Sequence, residues 1–457
     1  MGTSEQLLAV SPLDGRDRRS VEGLGEMVSE YGLMKYRVVV ETRWLSLLNS
    51  GVLPDVTPLG GRAHRKLRAI SDGFSHADAE RIKEIEKTTN HDVKALELWL
   101  REQLCETPVL SSRAELTHFG LTSEDPTNLA YAMMMRDARD EVLLPNIRQI
   151  GGNFEAKAHS LADFAMLAHT HGQPASPTTL GKEMAVFAER LDESARCLGG
   201  IAIKGKLNGA SGNYSALTIA YPEVDWPAVS QDFVEDLGFE FNSTTTQIEP
   251  HDWMVRYFNE LALANNIMTD SARDIWLYIM LNYFKLKVIE GETGSSTMPH
   301  KVNPIDFEKA WSNFGSANVV LSGLADRLPI SQLQRDLSDS STQRTTGEAL
   351  GHTLVGQRSM IRGLEKIIPN EEAINRDLNK NWAVLTEAVQ TVMRRYGIEG
   401  AYDIIKAASR GRDITEADYL KLAGSIEGIP AELRARLLNL TPATYTGRAA
   451  EIAREAV

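Results

Sequence analysis

Residues 291–304 hold the densest group of potentially reactive side chains in the chain. Three consecutive hydroxyls at 295–297 are followed by the imidazole of His300, the ammonium group of Lys301 and the amide of Asn303. Glycines make the backbone permissive there, and Asn303-Pro304 is typical of a helix N-terminus, whose free N–H groups favour an anion. We therefore predict a hydroxyl-bearing loop that acts on an anionic substrate. The plainer alternative is a surface loop that only caps a helix.

A second group, residues 168–175, contains two imidazoles, His169 and His171. They would lie near each other in an irregular turn. A metal site would need a third ligand at suitable spacing, and the neighbouring sequence offers none, so we expect no metal. A single histidine that donates a proton is the simpler interpretation, because the reference pKa of histidine lies near neutrality.

Three further segments combine polar side chains with predicted helix ends. Residues 88–94 interrupt a charged helical pattern and are, by themselves, consistent with a capped bend. Thr122 and Ser123 precede a helix and suit a carboxylate or phosphate, although such caps are common. Ser340 and Arg344 share one face of a helix start, and together with Arg335 they favour a phosphate site over plain solvated surface.

The residues 294–304, Gly-Ser-Ser-Thr-Met-Pro-His-Lys-Val-Asn-Pro, resemble the GSSxMPxKxNP motif of the fumarase/aspartase superfamily. Members of this superfamily cleave a C–N or C–O bond by β-elimination and release fumarate. His300 at the variable position, and the sequence Thr-His-Gly-Gln-Pro-Ala at 170–175, are similar to the branch that acts on succinyl-purine nucleotides. Together with the other segments, the resemblance extends over nearly the whole chain.

The resemblance implies a role for individual residues. Ser295 would be the base and His171 the acid, Glu308 would hold this histidine, and Lys301 would grip the substrate carboxylate together with Asn303. The residues implied in substrate binding are Arg16, Asn90, His91, Asp92, Thr122, Ser123, Gln247, Asn303, Arg335, Ser340 and Arg344.

The implied activity is that of a C–N lyase of purine nucleotide biosynthesis without a cofactor. It would release fumarate from adenylosuccinate, giving AMP, and from the succinyl-carboxamide imidazole ribotide (SAICAR), giving AICAR. Three departures from the family pattern, Asp17, His169 and residues 309–311, leave room for another fumarate-releasing lyase of the superfamily. A catalytically silent helical scaffold is a further alternative, which the intact His171 and its proposed partners disfavour.

Helical periodicity dominates the elements that must position these residues, and at most a short strand is expected near 244–249. The pattern over residues 251–288 is nearly 40 residues long, which makes a helix of roughly 55 Å that a monomer rarely hides. We therefore predict an all-α fold with a long central helix bundle shared between subunits. The resemblance implies a three-domain fumarase/aspartase-like homotetramer whose sites use more than one subunit. The domain boundaries that we predict are 1–111, 112–367 and 368–457.

The composition of the chain limits the kinds of partner and the cellular compartment that we expect. The chain has 457 residues, 42% of them hydrophobic and 24% charged, as in soluble globular proteins. Its net charge of −13 makes nucleic acid and anionic membranes poor partners. The two cysteines, Cys105 and Cys197, lie far apart without a disulfide or zinc motif. No signal peptide or membrane span is apparent, so we expect a cytoplasmic protein.

Overall fold

A computed structural model describes residues 4–291, 297–298, 300–411 and 413–457, and most of these are helical. The proposed base Ser295 lies outside the described residues. The α-helices up to residue 236 are α1 (Ser4–Leu8), α2 (Gly25–Val28), α3 (Glu30–Leu47), α4 (Gly61–Asp72), α5 (His76–Thr89), α6 (Asp92–Cys105), α7 (Pro108–Ser111), α8 (Glu124–Asp137), α9 (Leu144–Ser160), α10 (Leu180–Gly199), α11 (Ser215–Ala220) and α12 (Trp226–Asp236).

The second half of the chain contains the longest helices. They and the shorter helices that follow them are α13 (Asp252–Met280), α14 (Ile305–Arg327), α15 (Ser338–Gln343), α16 (Thr346–Lys366), α17 (Glu371–Lys380), α18 (Thr386–Arg395), α19 (Ala401–Ser409), α20 (Glu416–Gly424), α21 (Ala431–Leu438) and α22 (Ala449–Glu455). Single 3₁₀ turns lie at Arg18–Ser20, Ala114–Leu116, Trp382–Leu385 and Pro442–Thr444, and π turns at Leu48–Val52 and Ala138–Leu143.

These elements confirm the all-α fold class. Helix α13 runs for 29 residues and α14 for 23, so both are long, as the periodicity predicts. The predicted pattern over 251–288 is nevertheless too long, because α13 ends at Met280 and residues 284–286 form a strand. The helical stretch that starts at Glu124 continues to Ser160 through the pair Gly151-Gly152, and a π turn at Ala138–Leu143 separates α8 from α9. No helix in the described part of the chain is both long and apolar enough to span a membrane.

The strands correct the prediction of at most one short strand near 244–249, because those residues form none. Strands β1 (Ala165–Thr170) and β2 (Gln173–Thr179) make an antiparallel hairpin. Its two-residue turn, His171-Gly172, has φ values of 55° and 72°, the positive pair of a type I′ turn. Two smaller ladders pair β3 (Lys204–Gly205) with β4 (Glu240–Phe241) and β5 (Phe284–Leu286) with β6 (Ile367–Pro369).

The chain divides into two compact units. The first consists of Met1–Asn146, Arg196–Asn265 and Asn313–Gly356, and the second of Ile147–Ala195, Asn266–Ser312 and Gln357–Val457. In the first unit, α3 to α6 bury a cluster around Trp99, whose ring meets that of Phe74 edge to face at 5.3 Å. In the second, α18 to α21 enclose Tyr419, whose O–H donates to the Leu437 carbonyl at 2.7 Å. The three-domain division stays a prediction.

Two helical glycines of the second unit provide a test of the packing. A Cβ at Gly181 would lie 2.4 Å from the Ala158 oxygen and 2.6 Å from the Ala162 nitrogen, and backbone atoms cannot rotate away. We expect Gly181→Ala to lower the free energy of unfolding by about 2–3 kcal/mol. At Gly152 nothing lies within 4 Å. There the alanine should be neutral or stabilise by up to about 1 kcal/mol. Urea denaturation compares the two, and equal midpoints would contradict the packing.

Candidate active site

The polar core of the first unit is centred on the Asp125 carboxylate, in the first turn of α8. It accepts hydrogen bonds from the backbone N–H groups of Thr122 (2.8 Å), Asn208 (3.1 Å) and Gly209 (3.2 Å). The ammonium group of Lys206 lies 2.8 Å from it, and both side chains are fully buried. The two charges cancel where neither reaches water, and the three N–H groups fix the predicted substrate segment at Thr122 to the loop at 208–209.

The same loop holds the predicted substrate residue Gln247. The carbonyl of Ala210 accepts from the Gln247 side-chain amide at 3.2 Å. The Asn208 amide also donates to the Thr245 hydroxyl at 2.8 Å. The first unit therefore brings Gln247 into the neighbourhood of Thr122 and Ser123, which sequence spacing alone does not indicate.

Arg335 joins the start of α8 to the start of α15. Its guanidinium lies 3.0 Å from the Glu124 carboxylate and 3.3 Å from that of Asp339, and its side chain is 14% exposed. Burial raises the pKa of Glu124 to about 7, even though Arg335 opposes the shift. The N–H of Ser340 donates to Asp339 at 2.6 Å. Arg335 and Ser340 thus share Asp339 as a partner, and two carboxylates already hold the guanidinium.

Asp92 forms ion pairs with two guanidinium groups in the same unit. Its Oδ2 atom lies 2.8 Å from Nη1 of Arg37 and 3.3 Å from Nη2 of Arg344. Burial alone would raise the pKa of Asp92, but Arg37, the backbone N–H of Val93 and Arg344 together outweigh it and the pKa is lowered. Arg37 also donates to the Thr127 hydroxyl of α8 at 3.1 Å. The contacts therefore link the predicted site residues Asp92 and Arg344 to α8.

The segment before Asp92 is a capped bend, with substrate-contact roles still predicted for its residues. Asn90 ends α5 in the left-handed conformation at φ 49°, and the His91 Nδ1 atom accepts from the Lys94 N–H at 3.2 Å as the N-cap of α6. Arg16 is exposed near the N-terminus of the first unit. An exposed ion pair of Arg18 and Asp14 lies beside it, and the substrate contact of Arg16 stays a prediction.

A buried His–Glu pair next to this network was missed by the sequence analysis. The Nδ1 atom of His118 lies 2.6 Å from Oε1 of Glu41, whose carboxylate is fully buried. Burial would lower the pKa of His118, but the hydrogen bond and the charge of Glu41 raise it. His118 also has a φ of 58°, which a residue with a side chain rarely adopts. The two residues are 77 positions apart, so no local pattern could have indicated the pair.

The predicted acid His171 occupies the tip of the β1–β2 hairpin in the second unit. The side chains from His169 to Pro174 are exposed, whereas Thr178 and Thr179 at the base of β2 are buried. The His169 ring lies 6.3 Å from the ring of Tyr283. The type I′ turn therefore projects His171 into solvent on an anchored stem, rather than in the irregular turn that we predicted.

The other predicted residues of the second unit surround the start of α14. Lys301 is exposed, and its N–H donates to the Met298 carbonyl at 3.1 Å. The helix starts at Ile305, so the Pro304 carbonyl accepts its first hydrogen bonds, one residue later than the predicted cap at Asn303. The described hydrogen bond of Glu308 comes from the Trp276 indole N–H at 3.1 Å. Its contact with His171 stays a prediction.

Comparisons with known proteins cover nearly all of this chain. Residues 25–321 match the lyase family model, and residues 331–446 match the model described as adenylosuccinate lyase C-terminal. The adenylosuccinate lyase of Escherichia coli (strain K12) is 48% identical over 444 residues, 97% of each chain. That of Haemophilus influenzae is 47% identical over 447 residues, 98% of each chain.

A solved structure shows the same fold at much lower identity. It is the 3-carboxy-cis,cis-muconate lactonizing enzyme from Pseudomonas putida, with a TM-score of 0.76 at 21% identity over 95% of each chain. This likeness supports the fold class, and it carries no argument about the reaction.

The His118–Glu41 pair predicts a pH-dependent stability. The pKa of His118 is raised in the folded state. The pair therefore contributes its full stabilisation below about pH 6.5, the pKa of histidine in the unfolded chain, and this stabilisation is lost as the pH rises through the folded-state pKa. We expect Glu41→Gln to cost about 1–3 kcal/mol at pH 6 and less at pH 9, by urea denaturation. The titration of the His118 ring protons in NMR should also move to lower pH.

The matched control is the exposed pair of His76 and Glu26, in which Nε2 of the histidine lies 3.4 Å from Oε1 of the glutamate. Glu26→Gln should change stability little at either pH, because exposed ion pairs contribute little. A Glu41→Gln variant as stable as wild type at pH 6 would contradict the pair's importance.

Proposed function

The chain belongs to the adenylosuccinate lyase family of the fumarase/aspartase superfamily, and from this membership we propose its reaction. It eliminates fumarate from adenylosuccinate, giving AMP, and from SAICAR, giving AICAR, as a C–N lyase of purine biosynthesis. The observation that carries this conclusion is 45–48% identity to adenylosuccinate lyases over nearly the full length of both chains. Another fumarate-releasing lyase and a silent scaffold find no support.

The proposed mechanism needs two proton transfers. A base removes a proton from the carbon next to a succinyl carboxylate, the C–N bond breaks, and an acid protonates the departing nitrogen. We assign the base to Ser295 and the acid to His171. A serine hydroxyl is a weak base in water, so the site must exclude water and supply positive charge and dipoles. Lys301 and Asn303, before the start of α14, would stabilise the charge that builds on the carboxylate.

The network of the first unit supports the assignment of substrate contacts. Asp125 and its partners hold Thr122, Ser123 and Gln247 on a buried scaffold, which is what pre-organised binding groups require. Of the two arginines proposed for the phosphate, Arg344 is the better placed, because its side chain is 46% exposed and Arg335 is 14% exposed. Arg16, Asn90, His91, Asp92 and Ser340 complete the proposed set.

The exposure of the proposed catalytic residues supports an assembly in which neighbouring subunits share each active site. His171, Lys301 and Glu308 are all exposed in the single chain, although the reaction needs a dry site. The long helices also expose large apolar side chains, among them Val186, Leu263, Leu277 and Val319. We propose a homotetramer in which neighbouring subunits cover these surfaces and complete each site. Exposed thiols at Cys105 and Cys197 suit a reducing cytoplasm.

The proton-transfer roles are tested by substitution. We expect His171→Ala and Ser295→Ala each to lower kcat for adenylosuccinate cleavage by about 10²–10⁴-fold while substrate binding is retained, because each removes one general acid–base group. An absorbance assay for AMP formation measures kcat, and calorimetry measures binding. His76→Ala, which removes an exposed imidazole in the first unit, is the control and should retain full activity. Full activity of both variants would refute the assigned roles.

Shared sites predict complementation between inactive subunits. Mixing His171→Ala with Ser295→Ala after reversible dissociation should restore part of the activity, because some mixed sites then draw an intact residue from each subunit. Either variant treated alone should stay inactive. If the mixture gains no activity while mixed tetramers form, both residues of a site come from one subunit.

A further inference from the structure

A pocket of about 290 Å³ lies within the second unit, where residues 286–289 meet residues 301–307. Gly363 and Lys366 of α16 complete its lining. The buried ring of Phe307 packs on Gly363 so closely that a Cβ there would lie 2.8 Å from it. Much of the wall is apolar, and the exposed Val288 and Ile289 contribute to it.

The charges of this pocket do not balance. Its lining contains three ammonium groups, on Lys287, Lys301 and Lys366, against one carboxylate, Asp306. That carboxylate is already held by Lys366 at 3.0 Å and by Arg362 at 3.3 Å, and it is only 14% exposed. It therefore does not neutralise Lys287 or Lys301. This positive surplus contrasts with the net charge of −13 of the whole chain.

The β5–β6 ladder places two of these lysines directly opposite each other. Its register pairs Leu286 with Ile367, and the N–H of Lys287 extends it by donating to the Lys366 carbonyl at 2.8 Å. Like charges opposite each other destabilise a strand pair. A fourth ammonium group lies near Lys287, because burial and then the charge of Lys287 lower the pKa of Lys157, against the opposing charge of Glu365. Because Asp306 already neutralises Lys366, a bound anion would supply the counter-charge that the pocket lining does not provide for Lys287.

We propose that this pocket binds a carboxylate of a small dicarboxylate, and that Lys287 is its second binding cation besides Lys301. The inference rests on the proposed function, since Lys301 and Asn303 are shared with it, and it extends that function to a residue without an assigned role. The apolar wall suits a four-carbon chain. The volume of the pocket is too small to hold a nucleotide in addition to that chain. The corresponding ligand is fumarate, or the succinyl group that becomes it.

Calorimetric titration of the full-length protein with fumarate tests the proposal. We expect Lys287→Gln to raise the dissociation constant about tenfold or more, because a charge-assisted hydrogen bond is lost. Lys287→Arg should keep most of the affinity. Lys285→Gln is the matched control, since it removes the same charge from an exposed position on the same strand outside the pocket, and it should stay within about twofold of wild type.

Inorganic phosphate, titrated separately, distinguishes a dicarboxylate site from a phosphate site. Phosphate binding that depends on Lys287, without fumarate binding, overturns the proposal. Unchanged fumarate affinity in Lys287→Gln with a wild-type melting temperature overturns it as well, and Lys287→Met, which also removes the charge, replaces the glutamine variant if that variant unfolds. Fumarate binding needs no turnover. Lys287-dependent binding without adenylosuccinate cleavage would refute only the proposed function, whereas cleavage with unchanged fumarate affinity would refute only the inference.

Discussion

The buried ion pair of Asp125 and Lys206 is the constraint on which the first unit depends. Moving two charges out of water is costly, and the cost is offset only when each finds its partner and further hydrogen bonds. Here the carboxylate satisfies three backbone N–H groups besides the ammonium group. The Asn128 side chain adds two hydrogen bonds to the Lys206 backbone, at 2.9 and 3.0 Å. The start of α8 and the 206–209 segment therefore form one rigid body.

A series of alternating arginine and carboxylate side chains connects most of the proposed substrate contacts of the first unit to this rigid body. Arg37 connects α8 to Asp92, Asp92 connects to Arg344, and Glu124 connects the same helix to Arg335. Each carboxylate of the series orients a guanidinium group that would otherwise move freely on a long side chain. An acidic chain can in this way present cations in fixed directions, because its carboxylates are used as internal partners.

In the second unit, the proposed catalytic groups among the described residues are exposed, whereas the network of the first unit is buried. Its proposed acid His171 lies on an exposed turn, and only the base of the hairpin is buried. At the start of α14, Asp306 is held by two cations while Lys301 stays accessible. The chemistry that we propose requires a low-dielectric site, and exposed groups acquire one only when another surface covers them. The positions of these groups therefore favour an assembled enzyme over a single active chain.

The sequence by itself determined the local features. Periodicity predicted the long helices, the polar pattern predicted the bend at 88–94, and the motif at 294–304 indicated the reaction class. These depend on neighbours within a few residues, which the sequence displays directly. Only the tertiary structure decided the β1–β2 hairpin, the pairing of His118 with Glu41 and the opposition of Lys287 and Lys366. Each depends on side chains or strands that the fold brings together, and hydrogen-bonding and charge relations across long separations leave no pattern in sequence spacing.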